Sequence, residues 1–209
     1  MLRPRFIPCL LIQNNALVKG VQFKNYKYLG EPINAVRIFN EKEVDELILL
    51  DITATKEKRI LDPTIVAEIS DECYMPFVIG GGIRTIEQIR KLLNAGAEKV
   101  AICTSAIENP VLIEIAANTF GRQSIVVVID VKKNRGGNYE VYTHCGSRKT
   151  SLDPLQHAIL MEKMGAGEIL LNSIDNDGMM TGYDIEFIKK VTVAVNEIGR
   201  ASCRERVYH

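Results

Sequence analysis

The residues of this chain best suited to chemistry recur at one kind of place, directly after a short apolar run. Ile125-Val126-Val127-Val128-Ile129 leads into Asp130, which is followed by Val131-Lys132. A carboxylate ending a buried strand works as a general acid or base when burial and a nearby cation tune its proton affinity. A solvated loop-capping aspartate has the same position, and position alone leaves both readings open. Asp51, Asp175 and Asp177 are weaker instances of this placement. Phe77-Val78-Ile79 leads into Gly80-Gly81-Gly82, and Ile83-Arg84-Thr85 then opens a helical pattern. Glycines ahead of a helix N-terminus let backbone N–H groups close on a phosphate. A tight turn that needs positive φ uses the same residues. Thr104-Ser105 adds hydroxyl donors after Val100–Cys103, and Lys19 in Val18-Lys19-Gly20 offers a point charge for phosphate from the loop after the first strand. Cys103 reads as a small core thiol. His144 and His157 lack metal-ligand spacing, so no metal and no cofactor are expected.

These positions need a scaffold that presents strand ends together. Strands are expected over Phe6–Ile12, Leu47–Ile52, Phe77–Ile79, Val100–Cys103, Ile125–Ile129 and Ile169–Ile174, apolar on both faces as in a buried parallel sheet. Helical patterns fill the intervals at Asn34–Glu43, Pro63–Cys73, Ile86–Ala95, Pro110–Phe120, Pro154–Met164 and Asp184–Val195. Asp62-Pro63, Thr85 with Glu87, Asn109-Pro110 and Asp153-Pro154 mark helix starts, and Gly96, Gly121 and Gly165 mark stops. The sum is six consecutive βα units. No Gly-x-Gly-x-x-Gly follows the first strand, which argues against a dinucleotide-binding sheet. Polar residues at the C-terminal end of nearly every strand favour a (β/α)8 barrel, whose active sites lie on that face.

Composition sets the remaining bounds. The 209 residues carry 26 Lys+Arg against 26 Asp+Glu, with 46% hydrophobic residues. Zero formal charge gives no bulk attraction for nucleic acid or an anionic membrane, and no apolar run approaches the ~20 residues of a membrane span. The run Phe6–Ile12 behind Arg3 and Arg5 reads as a buried strand, not a secretion signal. Five scattered cysteines suggest reduced thiols and a cytoplasmic setting. The length is tight for a complete barrel, which needs ~250 residues. Periodicity stops after Asn196, so residues 1–196 are expected to form a partial barrel lacking strands seven and eight. Residues 197–209 are expected to be a non-native or disordered tail. A chain of that kind is expected to be inactive alone and to expose sheet edges.

The opposite ends of the strands carry a second pattern. Arg5, Glu46, Lys99 and Glu168 stand just before strands one, two, four and six, charges of alternating sign that a barrel would gather on its floor. An ion-pair layer that stabilises the floor is the plain reading.

Arg5-Phe6-Ile7-Pro8-Cys9-Leu10, Val18-Lys19-Gly20, Asp45 to Thr53, Gly80-Gly81-Gly82-Ile83, Gly121-Arg122-Gln123-Ser124, Ile129-Asp130 and Gly165 to Asp175 together resemble the cyclase subunit of imidazole glycerol phosphate synthase. The resemblance runs from the first residues to about Asn196. It implies a (β/α)8 lyase paired with a glutaminase, whose ammonia passes through the barrel to a bis-phosphate ribonucleotide in histidine biosynthesis. It further implies that Arg5, Glu46, Lys99 and Glu168 form the gate to the ammonia passage. Gly81, Gly82 and Thr104 match one phosphate site, Asp177-Gly178 begin the other, and Asp130 matches one of two catalytic aspartates. Lys19 and Asp51 complete the candidate substrate-binding set.

Two positions depart from the family pattern. Leu11 replaces the second catalytic aspartate, and Cys103 replaces an asparagine. Leucine cannot exchange a proton, so the acid–base pair loses a member. Gly30 to Ala35 with Asn40 to Val44 resembles a divergent branch that carries this leucine. That resemblance implies a role in supplying ammonia for acetamidino sugars of surface polysaccharides. The other readings are a phosphosugar isomerase on a similar barrel, and a non-catalytic barrel that only activates the glutaminase.

Overall fold

The computed structural model describes residues 5–195, so the expected tail at 197–209 lies outside the described residues. The chain divides into two compact units. One takes the residues up to Lys19 together with Lys27–Ala101, the other Gly20–Tyr26 together with the residues from Ile102 on.

In the first unit the elements run β1 (Cys9–Gln13), β2 (Ala16–Val21), β3 (Lys24–Gly30), α1 (Pro32–Glu41), β4 (Leu47–Asp51), α2 (Ala54–Glu57), α3 (Pro63–Glu72), β5 (Phe77–Gly80), α4 (Ile86–Asn94) and β6 (Lys99–Ile102). β1 pairs antiparallel with β2 and parallel with β4, and β4–β5 and β5–β6 are parallel. Parallel strands covered on both faces must be apolar throughout, and Leu47, Ile48, Leu49, Phe77, Val78 and Ile79 are all buried. Each such side chain stabilises by about 1.5–3 kcal/mol when removed from water. Asp62 caps α3 by accepting the Thr64 N–H at 2.9 Å. Thr85 forms a capping box with Gln88, three residues on, in place of the expected Glu87.

The second unit carries α5 (Thr104–Glu108), α6 (Val111–Phe120), a 3-10 turn (Arg122–Ser124), β7 (Ile125–Lys133), β8 (Tyr139–Thr143), β9 (Arg148–Lys149), α7 (Pro154–Lys163), β10 (Glu168–Ser173) and α8 (Ile185–Ala194). β7 pairs parallel with β10 and antiparallel with β8, which pairs in turn with β9. The register places Asn172 opposite Asp130. Asp153 caps α7 through the Gln156 N–H, and Asp184 caps α8 through the Phe187 N–H.

All six expected strands and six expected helices are present, with shifted ends. The first strand starts at Cys9, after Pro8, which has no N–H to give a ladder. β7 continues to Lys133 because β8 pairs with its extension, so Asp130 lies within a strand, not at its end. Thr104 and Ser105 open α5, and Lys19 belongs to β2, not to a loop. Also unexpected were β2, β3 and the β8–β9 hairpin; β3 and β9 bury no residue, and β8 buries only Val141 and Thr143, so these three give little apolar signal. Among the described residues no helix is long and apolar enough to cross a membrane.

Candidate active site

Asp130 is 5% exposed and lies between donors from two elements. Asn172 on β10 donates from Nδ2 to Asp130 Oδ1 at 2.9 Å, and the Cys103 thiol, at the start of α5, donates to Oδ2 at 3.5 Å. Burial pushes the Cys103 thiol well above its ordinary value, and the adjacent Asp130 charge pushes it the same way. The thiol is therefore protonated and acts as a donor. The Asn172 side-chain oxygen is buried and finds no hydrogen-bond partner in the protein. An amide has one donor end and one acceptor end, and Asn172 spends the donor end on Asp130.

The neighbouring candidates of the second unit are held by backbone groups. Thr104, 7% exposed, accepts the His144 N–H at 3.1 Å on its hydroxyl oxygen. Asp177 accepts the Phe23 N–H at 3.2 Å, while its carbonyl accepts the Gln22 N–H at 2.8 Å. Gly178 has φ +70°, and a Cβ there would come within 2.6 Å of the Gly20 carbonyl oxygen, so this close approach requires glycine. Asp175 accepts the Lys133 N–H at 2.8 Å, a structural cap on the end of β7.

In the first unit Asp51 is fully engaged within its own loop. One carboxylate oxygen accepts the N–H of Thr53 and of Ala54 and the Thr53 hydroxyl, and the other pairs with Arg59. Burial works against the Arg59 charge, yet hydrogen bonds to Asp51 and Glu57 raise its pKa overall. Gly81 and Gly82, at φ +115° and +71°, pack on this loop: a Cβ would collide with the Asp51 carbonyl at the first and the Arg59 carbonyl at the second. Their glycine identity is thus fixed by close backbone approach. Lys19 is half-buried on β2, and Leu11 on β1 is 3% exposed within the core.

Three of the four floor charges come together in the first unit. Glu46, 1% exposed, takes Lys99 Nζ at 2.8 Å on one oxygen and Arg5 at 3.3 Å on the other. Glu168 opens β10 in the second unit, opposite Val126.

Sequence reasoning missed Arg59 and Asn172. Arg59 stands in a stretch with no pattern, and Asn172 is one polar residue in an apolar strand, a signal that was there to be used. It also missed a cluster between the β7–β8 hairpin and α8. Tyr139 donates to Asp184 at 2.6 Å, stacks on Phe187 with centroids 4.3 Å apart, and sits under Lys133. Burial and the Asp184 bond push Tyr139 up to about 12.

Parallel βα units with a buried carboxylate set inside one strand and bonded from the next define a protein of the α/β class. Residues 5–202 match the family of histidine biosynthesis proteins, and the chain belongs to that family, a family of (β/α)8 barrels. It is 49% identical to a provisionally named imidazole glycerol phosphate synthase subunit HisF of Leptospira interrogans, over 96% of this chain and 81% of the relative. A provisionally named subunit hisF3 of Vibrio vulnificus (strain YJ016) is 46% identical, over 97% of this chain and 80% of its own length. The subunit HisF of Alkaliphilus metalliredigens (strain QYMF) is 43% identical, over 94% and 78%. The chain is thus a homologue of imidazole glycerol phosphate synthase HisF subunits.

Proposed function

We propose that the protein is a cyclase-type lyase subunit that takes ammonia from a glutaminase partner and uses it on a phosphorylated ribonucleotide or sugar. The observation that carries this reading is Asp130, a buried carboxylate bonded by Asn172 and by Cys103, the residue before α5. Asp130 is the proton-transfer group. Thr104, Gly81 and Gly82, Lys19, Asp51 and Asp177-Gly178 make up the phosphate and substrate contacts. Arg5, Glu46, Lys99 and Glu168 are the residues that control ammonia entry. The glutaminase is a separate subunit, the substrate is a small phosphorylated molecule, and the setting is cytoplasmic.

The buried Leu11 supports divergence from the histidine-pathway reaction toward acetamidino-sugar formation. With no carboxylate at that position, Asp130 has no acid–base partner there, and the cyclisation loses one proton-transfer step. The test is turnover of the histidine-pathway ribonucleotide by the protein purified with its glutaminase. Negligible turnover, raised by Leu11→Asp in protein that remains folded, is the expected result. Full turnover with no gain from Leu11→Asp overturns the divergence and leaves an ordinary cyclase. No ammonia transfer to any phosphorylated acceptor, with stimulation of the glutaminase retained, overturns the catalytic reading altogether.

A further inference from the structure

The two oxygens of Asp130 are held by unlike donors. Asn172 supplies a carboxamide N–H to Oδ1 from the facing position of the parallel β7–β10 pair, where the register fixes its distance. That amide leaves its own oxygen buried without a partner, a cost that the contact with Asp130 must offset. A carboxamide hydrogen bond to an ionised acceptor has the strength to do so. The second oxygen accepts from the Cys103 thiol. This residue occupies the position before the first turn of α5 with φ −110° and ψ −82°, and its side chain makes no capping bond to the helix. Its single S–H proton is directed instead at Asp130 Oδ2.

A thiol is an unusual choice for this place. It has one proton to give, it donates weakly, and desolvation together with the adjacent Asp130 charge keeps that proton on sulfur. Those properties suit a group that must aim a carboxylate without neutralising it. A weak donor gives direction to the carboxylate oxygen it touches while lowering the basicity of Asp130 less than a strong donor would.

We infer that Cys103 is a positioning residue whose thiol hydrogen bond aims Asp130 Oδ2 at the reacting group. The proton-accepting oxygen is then Oδ2, and Oδ1 is the oxygen anchored by Asn172. The inference rests on the proposed role of Asp130 for its catalytic consequence, but not for the hydrogen bond itself, and two measurements separate them.

The first measurement is the infrared S–H stretch of the intact protein, assigned to Cys103 by difference against Cys103→Ala. A band shifted to lower frequency than the other thiols, and returned toward them in Asp130→Asn, is expected. An unshifted band overturns the inference whatever the reaction proves to be. The second is ammonia-dependent turnover with the accepted substrate. Cys103→Ala is expected to lower kcat about tenfold with KM within about twofold, the loss that goes with one modest hydrogen bond. Cys103→Ser, which keeps a donor, is expected to recover most of it. Equal kcat in the alanine variant and the parent, or failure of serine to recover more than a core-filling Cys103→Val, overturns the inference. Should Cys103→Ala not fold, the serine–valine comparison and the infrared band of Asp130→Asn against the parent decide it alone. A shifted band in a protein that turns over nothing keeps the hydrogen bond and refutes the role.

Discussion

Asn172 donates its side-chain amide to Asp130 at 2.9 Å across the parallel β7–β10 pair, with the two residues in direct register. A carboxylate in the buried part of β7 is costly to leave without donors, and the β7–β10 register supplies one at fixed distance.

Asn172→Ala therefore takes away a donor from a buried carboxylate. Unfolding in urea should show a loss of about 1–3 kcal/mol. Ammonia-dependent turnover should fall by at least about tenfold, while Asp130→Asn should fall by about 10²–10⁴-fold if Asp130 transfers the proton. Parental turnover in Asp130→Asn would remove Asp130 from the chemistry.

The Glu46 pair makes a different prediction. Lys99→Ala takes the cation at 2.8 Å from a carboxylate that is 1% exposed, and its other ion-pair partner Arg5 is itself 44% exposed. Stability should drop by up to about 3–5 kcal/mol, the range for a broken buried pair. If these charges also gate ammonia, glutamine-dependent turnover should fall more steeply than turnover with added ammonia. Equal losses in the two assays would restrict the trio to a structural role.

His157 sets a pH dependence. It is 3% exposed in α7, its Nε2 has no hydrogen-bond partner, and burial lowers its pKa from 6.5 to about 4. Between those values the unfolded chain binds the proton and the folded chain does not, so acid favours unfolding. The stability tied to neutral His157 is complete above pH 6.5 and is lost as the pH falls toward 4, by about 3 kcal/mol in all. Denaturant midpoints over pH 4–7 should flatten in His157→Leu. An unchanged slope would assign the acid sensitivity to other groups.

Gly82→Ala tests the loop that holds Asp51. The new Cβ would meet the Arg59 carbonyl, and φ +71° strains any L side chain. A loss of at least about 1 kcal/mol in thermal or urea unfolding is expected. Gly137→Ala also sits at positive φ, but nothing lies within 4 Å of its Cβ position, so it separates backbone strain from collision.

The elements were legible because their signals are local. Runs such as Ile125–Ile129 can only be covered strands, and Asp62, Asp153 and Asp184 satisfy helix N–H groups two or three residues away. What escaped depends on distant partners. β7 outruns its apolar stretch because β8 pairs with residues 130–133, and β3 has three of its seven positions with a Tyr or Leu but little burial to advertise it. The glycines were read as a phosphate cradle from sequence, and the structure adds a sufficient packing reason for them at the Asp51–Arg59 loop.

By itself the sequence determined the βα alternation, the family resemblance, Asp130 together with a leucine at position 11 where the resemblance leads one to expect a second aspartate, and the charges before the strands. These follow from residue type and order. Only the tertiary structure decided which groups hold Asp130, because Cys103, Asp130 and Asn172 are separated by 27 and 42 residues and meet through strand register and helix placement. The same holds for Glu46 with Lys99, which lie 53 residues apart. Hydrogen bonds and ion pairs act over about 3 Å, and the chain order carries no such distance until the sheet sets it.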